Sequence, residues 1–481
     1  MKNIGNKTMC NAHLGSLALI LAALGGCTAR QAVPDSPAPA LASAWTQALP
    51  GQGDAVSPLW WQSFGSPELD AMVQAAQSQS LDIAAAMARV RQAEAATRGS
   101  GAALLPSLAA DTGAQRASRT QAAGGGGSGR YTAALTASYE VDFWGRHRAG
   151  RDAAAASWQA SRFDQATVQL TVTAQVANAW LQAVALRERQ AIGAQNLANA
   201  RRLLALVESR ARAGAATQLE LAQQRGLVAS LRQTLAALRR QGEDAEAALA
   251  VLLGRAQRPQ LATDSLQALQ LPEVGAGLPA QLLQRRPDIA QAEARLAAAS
   301  ANLQAARAAL WPRLTLTGGA TTSAARATDW LREPVYSLLA GLAGPIFDGG
   351  LLAAQRDGAQ ARREELLAAY HQSIVVAYGD VDLALNAVQG LQAQSEAQSE
   401  VLAQARQAVS LAELRYQAGA ESLLSLLQAQ ATLYAAQDDA VLQRLLQLQA
   451  RVALFRALGG GWGAEPAPQA QKSQGASLPP G

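Results

Sequence analysis

The sequence predicts a mainly α-helical chain with a few membrane β-strands, built from two copies of one unit. Three observations support this fold class: the composition, a repeat at a shift of about 205 residues, and short segments in which apolar and polar side chains alternate. Of the 481 residues, 49% are hydrophobic but only 4% are aromatic. Aromatic rings normally dominate globular cores, whereas Ala and Leu interleaved with Gln, Glu and Arg indicate long, closely packed helices.

The N-terminus predicts export from the cytoplasm. A basic start precedes the apolar run 14–24, which is too short to span a bilayer permanently and indicates a signal peptide, residues 1–26. The run ends in Leu24-Gly25-Gly26-Cys27, which resembles a bacterial lipobox, so we predict that Cys27 is lipidated. Thr28 stands where Asp would signal retention in the inner membrane, which favours the outer membrane. An ordinary signal peptide that ends near a cysteine is the alternative.

Composition argues against several classes of protein. The net charge of +5, without clustered basic and aromatic residues, disfavours nucleic-acid binding. After residue 26 the chain has two histidines, His147 and His371, and one cysteine, so we expect no metal site, no disulfide and no cofactor other than the lipid. The paired carboxylates Glu140 and Asp142 lie on the polar face of a predicted strand, where exposure to a lumen accounts for them. We therefore expect no catalytic residues and no enzyme.

The chain repeats itself in matched pairs of short motifs. They are Asp82-Ile83 with Asp288-Ile289, Pro106-Ser107-Leu108 with Pro312-Arg313-Leu314, Arg210-x-x-x-Gly214 with Arg415-x-x-x-Gly419, and Leu221 with Leu426. The shift is far longer than the period of a solenoid repeat, which runs from about 20 to 50 residues. These matches predict an internal duplication.

Each copy contains the same elements in the same order. They are a helix (67–103 and 285–310), a strand pair (105–116 with 131–143, and 312–322 with 334–345), a long helix (150–212 and 351–417), and a returning helix (217–253 and 422–457). In the second long helix, apolar residues from Leu367 to Leu391 recur at alternating spacings of three and four. This heptad pattern keeps one face against a neighbouring helix.

The turns between long and returning helices have recognisable local chemistry. Gly214 and Gly419 can adopt the left-handed conformation that closes a helix. Thr217 and Glu220 match a capping box at the start of the first returning helix, whereas the second copy has Ser422 followed by Ser425 and predicts a weaker cap.

Four amphipathic strands are too few to close a membrane barrel, whose smallest bacterial forms have about eight strands. An open strand edge cannot face lipid, so the sequence predicts that several copies contribute strands to one barrel. Two, three or four copies would satisfy this requirement.

Four motifs resemble those of the TolC/OprM-type outer membrane factors, in particular the NodT-like lipoprotein branch of tripartite RND efflux systems. They are Trp60-Trp61-Gln62-Ser63-Phe64-x-x-Pro67-Glu68-Leu69, Arg285-Arg286-Pro287-Asp288-Ile289, Arg415-Tyr416-x-x-Gly419 and Leu458-Gly459-Gly460-Gly461-Trp462. With the lipobox, the similarity covers residues 20–462. Trp60 and Trp61 are interpreted as packing residues in preference to a ligand site.

The resemblance implies a homotrimer with a twelve-stranded outer-membrane barrel, a periplasmic α-helical barrel and an equatorial region between them. With the observations above, the predicted segments are the signal peptide 1–26, a lipidated N-terminal segment 27–66 reaching the equatorial region, the first repeat 67–254, an equatorial linker 255–284, the second repeat 285–458, and a tail 459–481 whose Pro, Gln and Gly content predicts disorder.

The implied function is a passive exit duct for drugs or other small toxic compounds. Its partners would be outer-membrane lipid, a periplasmic adaptor and an inner-membrane RND-type transporter. The chain itself has no phosphate-binding loop that could couple ATP hydrolysis to transport. A duct for type I protein secretion or metal efflux is the alternative. A periplasmic adaptor would carry one helical hairpin in a β-rich chain, not two duplicated hairpins with strand pairs.

The resemblance also implies a periplasmic gate at the hairpin tips. By position, Tyr416 and Leu424 match residues that constrict the aperture of the family, and Glu220 matches a usual acidic position. Gln428 stands where an Asp is typical and Ala431 where an Arg is typical. The hypothesis is a gate held by neutral contacts instead of an Asp/Arg pair. The alternative is that Tyr416 and Leu424 only pack the hairpin.

Overall fold

The computed structural model describes residues 44–45, 56–117, 128–275, 277, 279–326, 328–329 and 331–462. Helices dominate these residues, and the strands form one small sheet, as predicted. The elements are α1 (Pro67–Gln79), α2 (Leu81–Ala102), β1 (Ser107–Ala117), β2 (Ser128–Val141), α3 (Arg146–Arg212), α4 (Gln218–Leu252), α5 (Leu282–Arg285), α6 (Pro287–Ala308), β3 (Arg313–Ala324), β4 (Val335–Ala343), α7 (Leu351–Gln417) and α8 (Leu423–Ala457).

The two hairpins correspond to each other residue by residue. The long helices α3 and α7 each have 67 residues, and the returning helices α4 and α8 each have 35. Both pairs begin at a shift of 205 residues. The predicted duplication is confirmed, and no insertion or deletion interrupts the correspondence within either pair of helices.

The helix predicted over 67–103 is interrupted, because Ser80 between α1 and α2 has an extended backbone with ψ of 127°. Gly254 packs against this break, since a Cβ at that position would lie 2.5 Å from the carbonyl oxygen of Gln79. The helix predicted to begin at 285 likewise begins at Pro287. Arg286 before it is extended, as the ring of a following proline favours.

The four strands form one antiparallel sheet in the order β1-β2-β3-β4. The register places apolar residues opposite one another on one face, as in Leu135↔Ala320, Tyr139↔Leu316 and Leu314↔Leu342, and polar residues on the other, as in Thr136↔Gly319, Ser138↔Thr317 and Glu140↔Thr315. The apolar face is open, with Leu338 87% exposed and Leu342 73% exposed. β1 and β4 are edge strands of the sheet.

Glu140 and Asp142 form hydrogen bonds at the corner between β2 and α3, a structural role that their place on the polar face of the strand did not predict. Asp142 accepts hydrogen bonds from the backbone N–H groups of His147 and Arg148, both at 2.9 Å, and satisfies free donors of the first turn of α3. Glu140 accepts from the Arg146 guanidinium at 2.8 Å. The two carboxylates therefore fix the direction in which the long helix leaves the strand.

The predicted heptad face of α7 is confirmed as a packing seam. Its central residues, Ile374, Ala377, Val381, Ala384 and Val388, are all buried. By length and composition alone, part of α7 could span a membrane, but α7 packs along α8 and about a third of that apolar window is buried within the chain.

An aromatic core lies where the hairpins meet the linker. Trp60 and Phe64, in a 3₁₀ turn before α1, pack with Phe455 of α8, and the Trp60 and Phe455 rings stack with centroids 5.1 Å apart. Trp60 and Trp61 are 2% and 4% exposed. The interpretation of both tryptophans as packing residues agrees with this burial.

The linker after α4 is held by backbone hydrogen bonds to charged side chains. Glu68 accepts from the N–H groups of Ala262 at 2.6 Å and Thr263 at 3.1 Å. Burial opposes ionisation of Glu68, but these bonds and one from the Thr263 side chain outweigh it and lower the pKa of Glu68. Glu188 accepts from Leu266 N–H at 2.8 Å, so the linker is tied to both α1 and α3.

The beginning of the predicted tail is ordered. Gly459, Gly460 and Gly461 all have positive φ angles, and the Trp462 ring packs edge-on against Phe163 at 5.7 Å. The expectation of disorder is therefore wrong for 459–462. Residues 463–481 lie outside the described chain, as do the signal peptide and Cys27.

Candidate gate at the hairpin tips

The two hairpin tips have nearly identical turns. Gly214 and Gly419 have φ angles of 74° and 73°. The residue after each glycine donates a 2.8 Å backbone hydrogen bond to the carbonyl of the arginine five positions earlier, Arg210 or Arg415. These bonds satisfy carbonyls that the end of a helix leaves free. The prediction of left-handed glycines at both tips is confirmed.

The caps of the returning helices differ, as predicted. In the first tip, Thr217 and Glu220 form a complete capping box: Thr217 N–H donates to the Glu220 carboxylate at 2.6 Å, and Glu220 N–H donates to the Thr217 hydroxyl at 3.2 Å. In the second tip the Ser422 hydroxyl accepts from Ser425 N–H at 3.2 Å, without a carboxylate at the Ser425 position.

Sequence reasoning missed Glu421, which supplies the acid of the second tip from outside the helix. Its carboxylate accepts from Ser422 N–H at 3.2 Å and lies 3.7 Å from the Arg415 guanidinium. Hydrogen bonds from the Ser425 side chain and the Ser422 backbone lower its pKa. The motif search did not find it because the carboxylate precedes the cap residue, where no capping box places one.

Tyr416 lies inside the chain. Its side chain is 3% exposed and packs in a small core with Leu203, Val207, Leu221, Leu423 and Leu426. The Arg210 guanidinium lies 4.8 Å from the ring centroid and donates to the Tyr416 and Gln417 carbonyls at 3.3 and 3.1 Å. Arg210 therefore joins the first tip to the second. The repeated Arg-x-x-x-Gly motif that contains Arg210 did not predict this contact.

The other gate candidates face outward or sit at a helix cap. Leu424 is 51% exposed, Gln428 is also exposed, and Glu220 is half-buried in its capping box. Of the gate candidates, Tyr416 is therefore a buried packing residue, whereas Leu424 and Gln428 lie on the surface of the chain. Within the described part of the chain, no cluster of His, Cys, Asp and Glu could hold a metal ion.

We expect Tyr416→Ala and Tyr416→Phe to have different effects. The Tyr416 hydroxyl is buried and has no hydrogen-bond partner among the described residues, so Tyr416→Phe should leave stability unchanged or slightly improved. Tyr416→Ala removes a buried ring and should destabilise the tip by about 3 kcal/mol. Single-channel conductance in planar bilayers should increase for Tyr416→Ala and remain normal for Tyr416→Phe. Equal effects of the two variants would contradict a packing role.

Comparison with known proteins agrees with this architecture. A model of the outer membrane efflux protein family matches residues 72–255 and again 278–460, one match in each repeat. The chain belongs to the outer membrane efflux protein family. It is a channel of the outer membrane that serves efflux, and the family is one of transport ducts and not of enzymes.

Named relatives cover almost the whole chain. The pyoverdine export outer membrane protein OpmQ of Pseudomonas aeruginosa is 47% identical over 95% of this chain and 98% of its own length. The antibiotic efflux pump outer membrane protein ArpC of Pseudomonas putida is 32% identical over 93% of this chain and 95% of its own length.

Solved structures of similar channels share the fold. The CusC channel matches with a TM-score of 0.80 at 27% identity, covering 89% of this chain and 99% of that one. The open state of the Neisseria gonorrhoeae MtrE outer membrane channel matches with a TM-score of 0.81 at 28% identity, covering 89% and 98%.

Proposed function

We propose that three copies of the chain form one passive duct, with twelve strands closing a barrel in the outer membrane and the hairpins continuing it into the periplasm. The observation that carries this proposal is the four-stranded sheet, which has an apolar face, a polar face and two edge strands, β1 and β4. Unpaired N–H and C=O groups cannot face lipid, because no water is present to bind them. In a barrel closed by further copies, the edge strands of neighbouring copies pair with each other. The polar face of the sheet then lines the lumen.

A charge on the apolar face should prevent insertion, while the same charge on the polar face should be tolerated. Leu338 of β4 lies opposite Gly318 of β3, so Leu338→Arg and Thr317→Arg place a guanidinium at similar depths on opposite faces. An arginine facing lipid near the midplane costs about 2–4 kcal/mol. We expect Leu338→Arg to reduce the amount of channel in isolated outer membranes at least tenfold, and Thr317→Arg to have little effect. Equal amounts of the two variants would contradict the proposed faces.

A periplasmic adaptor and an inner-membrane RND-type transporter complete the system in this proposal. The support is that named relatives are outer-membrane components of efflux pumps. Lipid attached to Cys27 would hold the N-terminus at the membrane. Incorporation of labelled palmitate that persists in Cys27→Ser would exclude this attachment.

The proposed gate consists of the exposed pair Leu424 and Gln428, with Tyr416 supporting them from within and Glu220 fixing the facing helix. Neutral side chains close the aperture in this proposal, because Gln428 and Ala431 provide neither the acid nor the base of an ion pair. If Gln428→Ala and Tyr416→Ala both leave conductance unchanged, this gate is wrong.

The cargo is proposed to be small organic molecules, with pyoverdine as the first candidate. Identity is higher to the pyoverdine export proteins, at 47%, than to the antibiotic and solvent efflux proteins, at 32–34%. The test is expression of this chain in Pseudomonas aeruginosa lacking OpmQ, with an empty vector as control and pyoverdine measured in medium and periplasm. Restored export is the expected result. Restored antibiotic resistance in a Pseudomonas putida strain lacking ArpC, without pyoverdine export, would instead assign drug efflux.

A further inference from the structure

A recess of about 470 Å³ lies among the four helices that adjoin the sheet, α2, α3, α6 and α7. Its lining includes three buried alanines, whose small side chains leave this space open: Ala160, Ala298 and Ala299. Its charged residues are three arginines and one aspartate: Arg89, Arg295, Arg362 and Asp164. We call this surface the arginine recess. Its lining carries more positive than negative charge.

The arginine recess lies away from the face of α3 that packs on the end of the chain. On that packing face, Phe163 contacts Trp462 and Leu170 contacts Gly460. The polar residues that α3 contributes to the recess are Ser157, Ser161 and Asp164. At 3.6 residues per turn, these three residues lie about 100–160° around the helix from Phe163. The recess and the packed end of the chain therefore occupy different sides of α3.

The side of α3 that carries the recess continues from the polar face of the sheet. Arg146 and Asp164 are 18 residues apart, or about five helical turns, so they lie on the same side of α3. Arg146 donates to Glu140 at 2.8 Å, and Glu140 lies on the polar face of β2 opposite Thr315 of β3. In the proposed assembly this polar face lines the lumen. The arginine recess then opens into the same lumen.

The carboxylate of the recess already has its partners. Asp164 accepts from the Arg89 guanidinium at 3.1 Å and from the Gln291 amide at 2.8 Å. Arg362 pairs with Glu365 of its own helix. Arg295 is exposed, and it forms no hydrogen bond or ion pair with any residue that the structure describes. Arg295 is therefore a positive charge of the recess that remains free for a ligand.

The duplication explains why Arg295 has no acidic partner. Arg295 corresponds to Arg89 of the first repeat, 206 positions earlier. Asp164, the partner of Arg89, corresponds to Ala369 at the shift of 205 residues that relates the long helices. The second repeat thus has the arginine without the aspartate. An ion pair within the chain does not account for Arg295.

We propose that the arginine recess binds carboxylate groups of anionic cargo as the cargo passes through the duct. This proposal rests on the proposed function and adds to it a chemical class of cargo, organic anions. A guanidinium presents parallel N–H donors that match the two oxygens of a carboxylate. Ion pairs with exposed arginines are weak, so the recess concentrates anions in this part of the lumen without retaining them.

Binding of citrate, a small tricarboxylate, tests the proposal. The measurement is equilibrium dialysis of radiolabelled citrate against the purified full-length channel at low ionic strength. We expect Arg295→Gln to weaken citrate binding about fivefold, and Arg295→Gln with Arg362→Gln to weaken it about tenfold or more, because each guanidinium donates charge-assisted hydrogen bonds. Arg295→Lys keeps the charge and should weaken binding less than Arg295→Gln.

Two further variants distinguish the recess from a general attraction of anions to a basic protein. Arg98→Gln removes an arginine that is nine residues after Arg89, on the opposite side of α2, and should leave citrate binding unchanged. Asp164→Asn keeps the size of the side chain but releases Arg89, and should tighten citrate binding about threefold.

The proposal is overturned if the unsubstituted channel binds no citrate, or if Arg295→Gln binds it as tightly as the unsubstituted channel. Equal losses in Arg295→Gln and Arg98→Gln, or no tightening in Asp164→Asn, would also overturn it. The amount of assembled channel in outer membranes should be the same for Arg295→Gln and the unsubstituted chain, because Arg295 has no partner among the described residues to lose.

Failure of this proposal differs from failure of the proposed function. If the unsubstituted chain forms no oligomer and restores no export, the proposed function fails, and the recess has no lumen to face. If the chain assembles and exports cargo, but citrate binding does not depend on Arg295, only the anion site is overturned.

Discussion

Gly459→Ala should destabilise the chain by about 4 kcal/mol, because it combines backbone strain with a steric clash. Gly459 has a φ angle of 91°, a conformation that residues with a Cβ rarely adopt. A Cβ at this position would lie 1.9 Å from the carbonyl oxygen of Arg285 and 2.8 Å from its carbonyl carbon. Both atoms belong to backbone, so no side chain can rotate away. Circular dichroism of the purified channel should show loss of helix at a clearly lower temperature.

Gly214→Ala is the matched control for the strain alone. Gly214 has a φ angle of 74°, but nothing lies within 4 Å of an added Cβ. We expect it to cost about 1 kcal/mol, the usual penalty for a left-handed residue with a side chain. Similar losses of stability in the two variants would show that the contact with Arg285 relaxes and that the close approach is unimportant.

Arg286→Met should destabilise the chain by about 3 kcal/mol, because it leaves two carboxylates without their common partner. The Arg286 side chain is 10% exposed and donates to Asp288 at 2.6 and 3.0 Å, to Asp380 at 3.0 Å and to the Ala457 carbonyl at 3.2 Å. Burial alone would lower the pKa of the guanidinium, but the bonds to the two carboxylates outweigh burial and raise it. The group is therefore charged throughout the accessible pH range.

The measurement is the thermal midpoint of helix loss together with the steady-state amount of channel in outer membranes. Arg98→Met is the matched control, because the Arg98 side chain is 74% exposed and pairs with Glu94 on the surface of one helix. Exposed pairs of this kind contribute at most about 0.5 kcal/mol. If Arg286→Met behaves like Arg98→Met, the buried network does not hold the start of the second repeat to its end.

The sites around Arg286 and Gly459 are in contact with each other, and the sequence alone did not predict this contact. The motif around Arg286 and the closing glycines were both recognised, but as separate signatures, with Arg286 and Gly459 173 residues apart. In the structure Arg286 donates to Ala457, and Gly459 rests on Arg285, so the start of the second repeat is fixed to its end. A sequence identifies a glycine or an arginine, but it does not identify the distant backbone segment that packs against that residue.

Local chemistry was predicted well where neighbours in sequence are neighbours in space. The left-handed glycines at 214 and 419, the capping box at Thr217 and the heptad face of α7 all depend on residues a few positions apart. The predictions were less accurate where a segment distant in sequence determines the local structure. Ser80 interrupts a helix against which Gly254 packs, and Tyr416 lies in a core built from both tips.

The sequence by itself determined the duplication, the order of elements and the two faces of the strands, because periodicity and turn chemistry are properties of short segments. Only the tertiary structure decided which helix lies beside which, and therefore which faces remain uncovered. α3 and α7 have equal lengths and corresponding positions. Among the described residues, however, α3 is covered by helices of both repeats, whereas α7 is covered mainly by helices of its own repeat. The difference arises because packing depends on the neighbours that a single chain can supply, and this chain supplies them to its first repeat.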